Sequence, residues 1–255
     1  MGSDPLFTKS ENHYSYSAYA DPAMAASFDA QRFGGPIGQI LLADQERVLA
    51  EFLGDVSNRR ILDMATGTGR AALALAHRGA IVTGVDASRE MLTVARTRAA
   101  HAGLTIEFAE GDAHALPYPD RAFDAVVCLR MLMHVPDWRR ALSELCRVTG
   151  HVLLFDYPAR SSAAAAQAVW RQAALRFGRN VEAYRVFSQD DIARELDRHG
   201  FRIASMHKQF VLPIALHKAI GSTGLTRGLE GILARVGMLR LAGSPVTIAA
   251  KRCAS

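Results

Sequence analysis

Short apolar runs alternate along the middle of the chain with segments whose apolar positions recur every three or four residues. Arg60–Ala65, Ala80–Asp86, Thr105–Ala109, Phe123–Leu129 and His151–Asp156 are runs of the first kind and predict buried strands. Arg70–His77, closed by Gly79, is alanine-rich and helical. Ser88 is a natural N-cap for a helix to about Ala102, with Gly103 as its stop, and Trp138–Val148 is a third helix. Upstream, a helix from Asp21-Pro22 to Phe33 ends at Gly34-Gly35-Pro36, and another runs from about Gly38 to Leu53. Downstream, helices are predicted over 162–177 and 189–199, and strands over 201–211 and 245–251. Strand and helix in turn at this spacing predict βαβ units, hence a parallel, doubly wound sheet covered on both faces.

The glycine-containing turn Ala65-Thr66-Gly67-Thr68-Gly69 joins the first strand to its helix, where backbone can approach a ligand and unpaired N–H groups point outward. Asp86 ends the second strand, where an acidic side chain can accept from two ribose hydroxyls. To this point a dinucleotide would fit as well. Three features favour another nucleoside cofactor. The glycine spacing differs from Gly-x-Gly-x-x-Gly, with alanine at the third slot, Ala72. Asp63 lies just before the turn, where a carboxylate repels a pyrophosphate and suits an ammonium, although it could instead satisfy loop N–H groups. Asp112, after the third strand, suits an adenine amino group.

Residues 60–156 resemble the core of the Rossmann-like (class I) S-adenosylmethionine-dependent methyltransferases, in the ubiquinone/menaquinone-biosynthesis-like branch. The resemblance is carried by Leu62–Gly69, Val85-Asp86-Ala87-Ser88 with Met91, Gly111–Tyr118, Asp120, Phe123–Val126, His134–Asp137 and Glu144–Val148. It implies a seven-stranded, mostly parallel sheet with N-terminal helices and a helical insert before the last strand. It also implies S-adenosyl-L-methionine as cofactor. Ala65, Gly67 and Thr68 would cradle the methionine part and Asp63 face its ammonium. Asp86 would hold the ribose, Ala87 and Met91 flank the adenine, Asp112 and Ala113 bind its edge, and Cys128 and Leu129 lie near the methyl group. Two departures stand out: Ala65 replaces the commonest first glycine, and the usual Pro-Gly-Gly turn before the fifth strand is Val148-Thr149-Gly150-His151.

His134 follows the fourth strand in a loop that opens toward substrate in this fold, and an imidazole there could take a proton from a phenol, enol or hydroxyl. The alternative is a cap or a pair with Asp137. Asp156 and Tyr157 end the fifth strand on the same edge, so His134 and Asp156 are the catalytic candidates. Arg130 is either a clamp or a surface arginine, Asp124 is taken as structural, and Tyr184-Arg185 is a weaker candidate. Methyl transfer from a sulfonium needs mainly alignment in a dry site, so no nucleophile–base dyad is expected.

Composition narrows the partners. The 255 residues carry a net charge of +5, but the basic residues are scattered, which argues against nucleic acid. Three cysteines without metal-ligand spacing give neither a disulfide framework nor a metal site. With no long apolar stretch and no basic-then-apolar leader, the chain is expected to be cytoplasmic. The expected organisation is a single methyltransferase domain over 1–255. Its parts are an arm and helices (1–55, with Tyr14, Tyr16 and Tyr19 either a lid over the cofactor, as the resemblance implies, or a disordered terminus), the cofactor core (60–156) and a substrate side (157–255). Residues 214–244 form the insert, an amphipathic helix with Arg227, Arg235 and Arg240 at its edges. Its alternative uses are a cap over an apolar substrate, a peripheral membrane contact or a homodimer contact. The function expected is methyl transfer to oxygen or carbon of a small apolar or aromatic acceptor. The alternatives are an RNA-directed methyltransferase or a cofactor-binding protein without transfer activity.

Overall fold

The computed structural model describes residues 22–165 and 185–253, and the tyrosine arm, Tyr184 and most of the 162–177 helix lie outside them. Two helices, α1 (Pro22–Phe33) and α2 (Gly35–Leu53), precede the alternating core. Helix α2 begins three residues before the expected Gly38, because Pro36 occupies its first turn, where a missing N–H costs nothing.

The core runs β1 (Arg60–Met64), α3 (Arg70–His77), β2 (Ile81–Asp86), α4 (Arg89–His101), β3 (Glu107–Glu110), β4 (Phe123–Cys128), α5 (Trp138–Val148) and β5 (Thr149–Tyr157). It continues through α6 (Gln189–Arg198) and β6 (Phe201–Phe210), then α7 (Ile214–Ile220), α8 (Thr223–Arg235), α9 (Met238–Ala242) and β7 (Ser244–Arg252). The expected cap operates, the Ser88 hydroxyl accepting from the Met91 amide, and α5 has a further one not expected from the sequence, Asp137 accepting from Arg140 N.

The seven strands form one sheet in the order β3-β2-β1-β4-β5-β7-β6, parallel from β3 through β5, with β7 antiparallel to both neighbours. Alternate residues of each strand serve opposite faces. Leu62, Val126, Leu153 and Phe155 pack with Trp138, Leu142 and Leu145 of α5. Ile61, Val127 and Leu154 pack with Leu49 of α2 and Ala72 and Leu75 of α3. Burial on both faces is why these strands are continuous apolar runs.

From β1 the chain winds outward to β2 and β3, then returns to β4 on the other side. The crevice at such a reversal, beyond the strands' carboxyl ends, is where doubly wound sheets bind ligands. Register aligns the loops there: Met64 lies beside Val85 and Cys128, and Asp86 beside Glu110. The residues that follow β1, β2, β3 and β4 therefore meet at one edge.

The insert departs from expectation. It is three short helices, because the chain turns through left-handed backbone at Gly221 (φ 68°) and Gly237 (φ 81°), which glycine adopts without a Cβ clash.

Candidate functional site

The loop after β1 turns sharply: Ala65, Gly67 and Gly69 all have positive φ (58°, 55° and 83°). It is held by Thr66 N donating to Val85 O and by Gly67 N donating to Asp86 Oδ2 at 2.8 Å. Asp86 Oδ1 accepts from Ser88 N at 2.9 Å. The carboxylate is thus fixed across the tips of β1 and β2.

Above this edge opens a cleft of about 140 Å³. Nine of the eleven residues expected to bind cofactor line it: Ala65, Gly67, Thr68, Asp86, Ala87, Met91, Asp112, Ala113 and Leu129, and so does His134. Asp112 is oriented from behind by His114, whose backbone N (2.9 Å) and Nδ1 (2.6 Å) both reach Asp112 Oδ1. His134 is buried in the wall, and the cap of α5 is supplied by Asp137.

Three expected residues do not reach the cleft. Asp63 lies beneath the loop, where its Oδ2 accepts from the Thr66 hydroxyl (2.6 Å) and Ala72 N (3.0 Å). Burial pushes its carboxyl up to about 7, so near neutrality it repels a pyrophosphate far less than a surface carboxylate would. It acts by bracing the loop. Cys128 is buried against Met131, its thiol pushed well up by burial, and Leu129 takes the wall position. Asp156 accepts from Arg130 N, holding Arg130 in left-handed backbone (φ 62°), and opens on a second, smaller cavity. Burial raises its carboxyl too. Asp124, taken as structural, accepts from Arg60 N at 2.8 Å and ties β4 to β1.

Several site residues have no local signature. Phe28 and Arg32 come from α1, which lies across the cleft. Asp29 fastens that helix, accepting from the Thr68 hydroxyl (3.1 and 3.0 Å) and pairing with Arg98 and Arg70. Arg70 lines the cleft with its guanidinium 3.4 Å above the Phe33 ring. Burial lowers it only to about 10, so it stays a cation. Its Nη1 is buried without a hydrogen-bond partner among the described residues, and its Nε, 3.2 Å from Asp29 Oδ1, is poorly aligned for one. In the second cavity, His207 Nε2 lies 2.8 Å from Asp44 Oδ2, which also accepts from Gln209. Arg70 could have been suspected from its place at the helix start. Asp44 and His207, 163 positions apart, could not.

The cleft therefore offers carboxylates where β2 ends and beyond β3, apolar residues between them, and at the loop a half-buried cation with two N–H-bearing nitrogens unmet. A nucleoside with a hydroxylated sugar and an amino-acid tail matches that donor set.

Residues 61–151 match the family model described as a methyltransferase domain. Among curated proteins the chain is similar to the demethylmenaquinone methyltransferase of Thermus thermophilus (46% identical over 105 residues, 39% of this chain and 48% of that one). It is also similar to the ubiquinone biosynthesis O-methyltransferase of Alkalilimnicola ehrlichii (40% over 109 residues, 41% and 44%). The chain spans about half the length of these relatives. Among solved structures, magnesium protoporphyrin IX methyltransferase from Synechocystis PCC 6803, with bound S-adenosylhomocysteine, shares the fold at a TM-score of 0.65 and 18% identity, covering 94% of this chain and 98% of that one.

Proposed function

We propose that the protein is an S-adenosylmethionine-dependent methyltransferase acting on oxygen or carbon of a small apolar or aromatic molecule. The carrying observation is the cleft at the β1/β4 reversal, whose lining includes Asp86, Asp112 and Arg70, with the Arg70 Nε and Nη1 left without hydrogen-bond partners among the described residues. Asp86 would accept from the ribose hydroxyls and Asp112 from the adenine amino group, with Ala87, Met91 and Ala113 against the base. Arg70 would take the carboxylate of the amino-acid tail, a charge-assisted contact at a buried site. The sulfonium supplies an electrophilic methyl group, so the chain's task is alignment and exclusion of water.

Leu129, Arg130, Met131, His134 and Val135, from the segment after β4, also line the cleft, and an acceptor would sit against them. Buried His134 is placed to take a hydroxyl or enol proton. Phe28 and Arg32 on α1 would close the site. The relatives named for quinone-pathway methylation support an aromatic acceptor with apolar substituents.

Calorimetry with S-adenosylmethionine and with NAD tests the cofactor: binding of the first alone is expected. Labelled methyl from the cofactor, incubated with metabolite extract and with RNA, should enter an organic-extractable small molecule. Label in RNA would replace this reading with the RNA-directed one, and binding without transfer to either would replace it with a cofactor-binding protein.

A further inference from the structure

Among the described residues eight large hydrophobic side chains are exposed, and seven of them lie between Leu216 and Leu241. Helix α8 concentrates them: Leu225, Leu229, Ile232 and Val236 follow the i, i+4, i+7, i+11 spacing of one helical stripe. Leu225, Ile232 and Val236 are 61%, 58% and 68% exposed, and Leu241 on α9 is 67% exposed. The helix's inward side is separate: Thr226 is fully buried, and Glu230 accepts from Val211 N (2.8 Å), Leu212 N (2.9 Å) and His217 Nε2 (2.8 Å). The outward stripe is therefore surplus to folding.

The exposed charge of the insert itself has one sign. Glu230 is the only acidic residue between 214 and 244, and it is turned inward, whereas Lys218, Arg227, Arg235 and Arg240 are exposed. An apolar stripe on an insert whose exposed charges are all cations is complementary to an anionic lipid surface, where leucines enter the acyl boundary and the cations meet headgroup phosphates. A second copy fits poorly, because a two-fold contact would set these cations against themselves with no exposed acid in reply.

We infer that the α7–α9 insert docks on an anionic membrane surface and places the cleft mouth beside the lipid. The insert is joined to the site: Lys218 Nζ donates to Gln31 O (2.8 Å) and Arg32 O (2.9 Å) at the end of α1, the helix that supplies Phe28 and Arg32 to the cleft. Ile214 packs into the cluster of Phe33, Leu41 and Phe210. Delivery of an apolar acceptor from the bilayer rests on the function proposed above; the lipid contact itself does not.

The test is flotation of the full chain with vesicles of phosphatidylcholine alone and of phosphatidylcholine with added phosphatidylglycerol. Binding is expected to the anionic vesicles only and to weaken with salt. Replacing Leu225→Gln, Leu229→Gln and Ile232→Gln together should lower it by about tenfold or more, with affinity for S-adenosylmethionine unchanged. Arg235→Glu with Arg240→Glu, which leaves the apolar stripe intact, should cost roughly fivefold per cation. The inference is overturned if the wild-type chain stays with the buffer, or if both variants float as it does. It is likewise overturned if light scattering shows a dimer that the glutamine variant dissolves while vesicles retain neither. Vesicle binding by a chain that takes no S-adenosylmethionine would sink the proposed function and leave the lipid contact standing.

Discussion

Asp86 is held in place before any ligand arrives, because the Gly67 and Ser88 amides already fix both of its oxygens. Asp86→Ala should therefore weaken S-adenosylmethionine binding by on the order of 2–4 kcal/mol, the worth of hydrogen bonds to a charged acceptor, measured by calorimetry on a variant that still melts cooperatively. A loss under about threefold would remove Asp86 from the site. Asp63 plays a different part. Its folded-state carboxyl is raised from 3.8 to about 7, so between those values the unfolded chain ionises while the folded one keeps its proton. Stability from this group is full below the lower value and is lost as pH rises toward the upper, with a ceiling on the order of 4 kcal/mol. Asparagine has no such proton. The destabilisation caused by Asp63→Asn in denaturant titrations should accordingly shrink from about pH 4 to pH 7, and a gap that stays constant over that range would contradict a buried, proton-holding Asp63.

At the scale of elements, most of the core helices begin at a side chain built to start them, as Ser88, Asp137 and Ser188 do. Helix α8 is weaker. It carries Gly224, Gly228 and Gly231, and a Cβ added at any of them meets nothing within 4 Å. Glycine there costs about 0.5–1 kcal/mol each against alanine without any steric need. Gly228→Ala with Gly231→Ala should therefore raise stability to chemical denaturation by roughly 1–2 kcal/mol, and a fall would mean that something packs on that face.

For the whole molecule, the cleft exists only when the strands are in register, so ligand and fold are thermodynamically linked. S-adenosylhomocysteine at about a hundred times its dissociation constant adds about 2.7 kcal/mol to a chain that binds it only when folded. That corresponds to a melting shift of roughly 5–10 °C at this size, read by scanning calorimetry; no shift with a ligand that calorimetry shows to bind would break the link.

What the chain determined by itself is what depends on neighbours in sequence. Apolar runs mark strands buried on both faces, Ser88 marks a helix start, and the loop glycines mark the turn between β1 and α3. Nine of the eleven expected cofactor residues line the cleft because they lie at or just after the carboxyl ends of β1 to β4, in the loops and the first turn of α4, and parallel register brings strand ends together. The tertiary structure decided what depends on which face of a strand a residue takes and on what covers it. Asp63 takes the α3 face beneath the loop and Cys128 the opposite face against the α5 side of the core, so burial made one a brace and the other core. Asp29, Phe28 and Arg32 joined the site because α1 crosses it, and Asp44 met His207 because β6 and β7 return beside α2. Contacts between segments so far apart leave no local pattern; they follow from the winding of the sheet, which only the assembled core enforces.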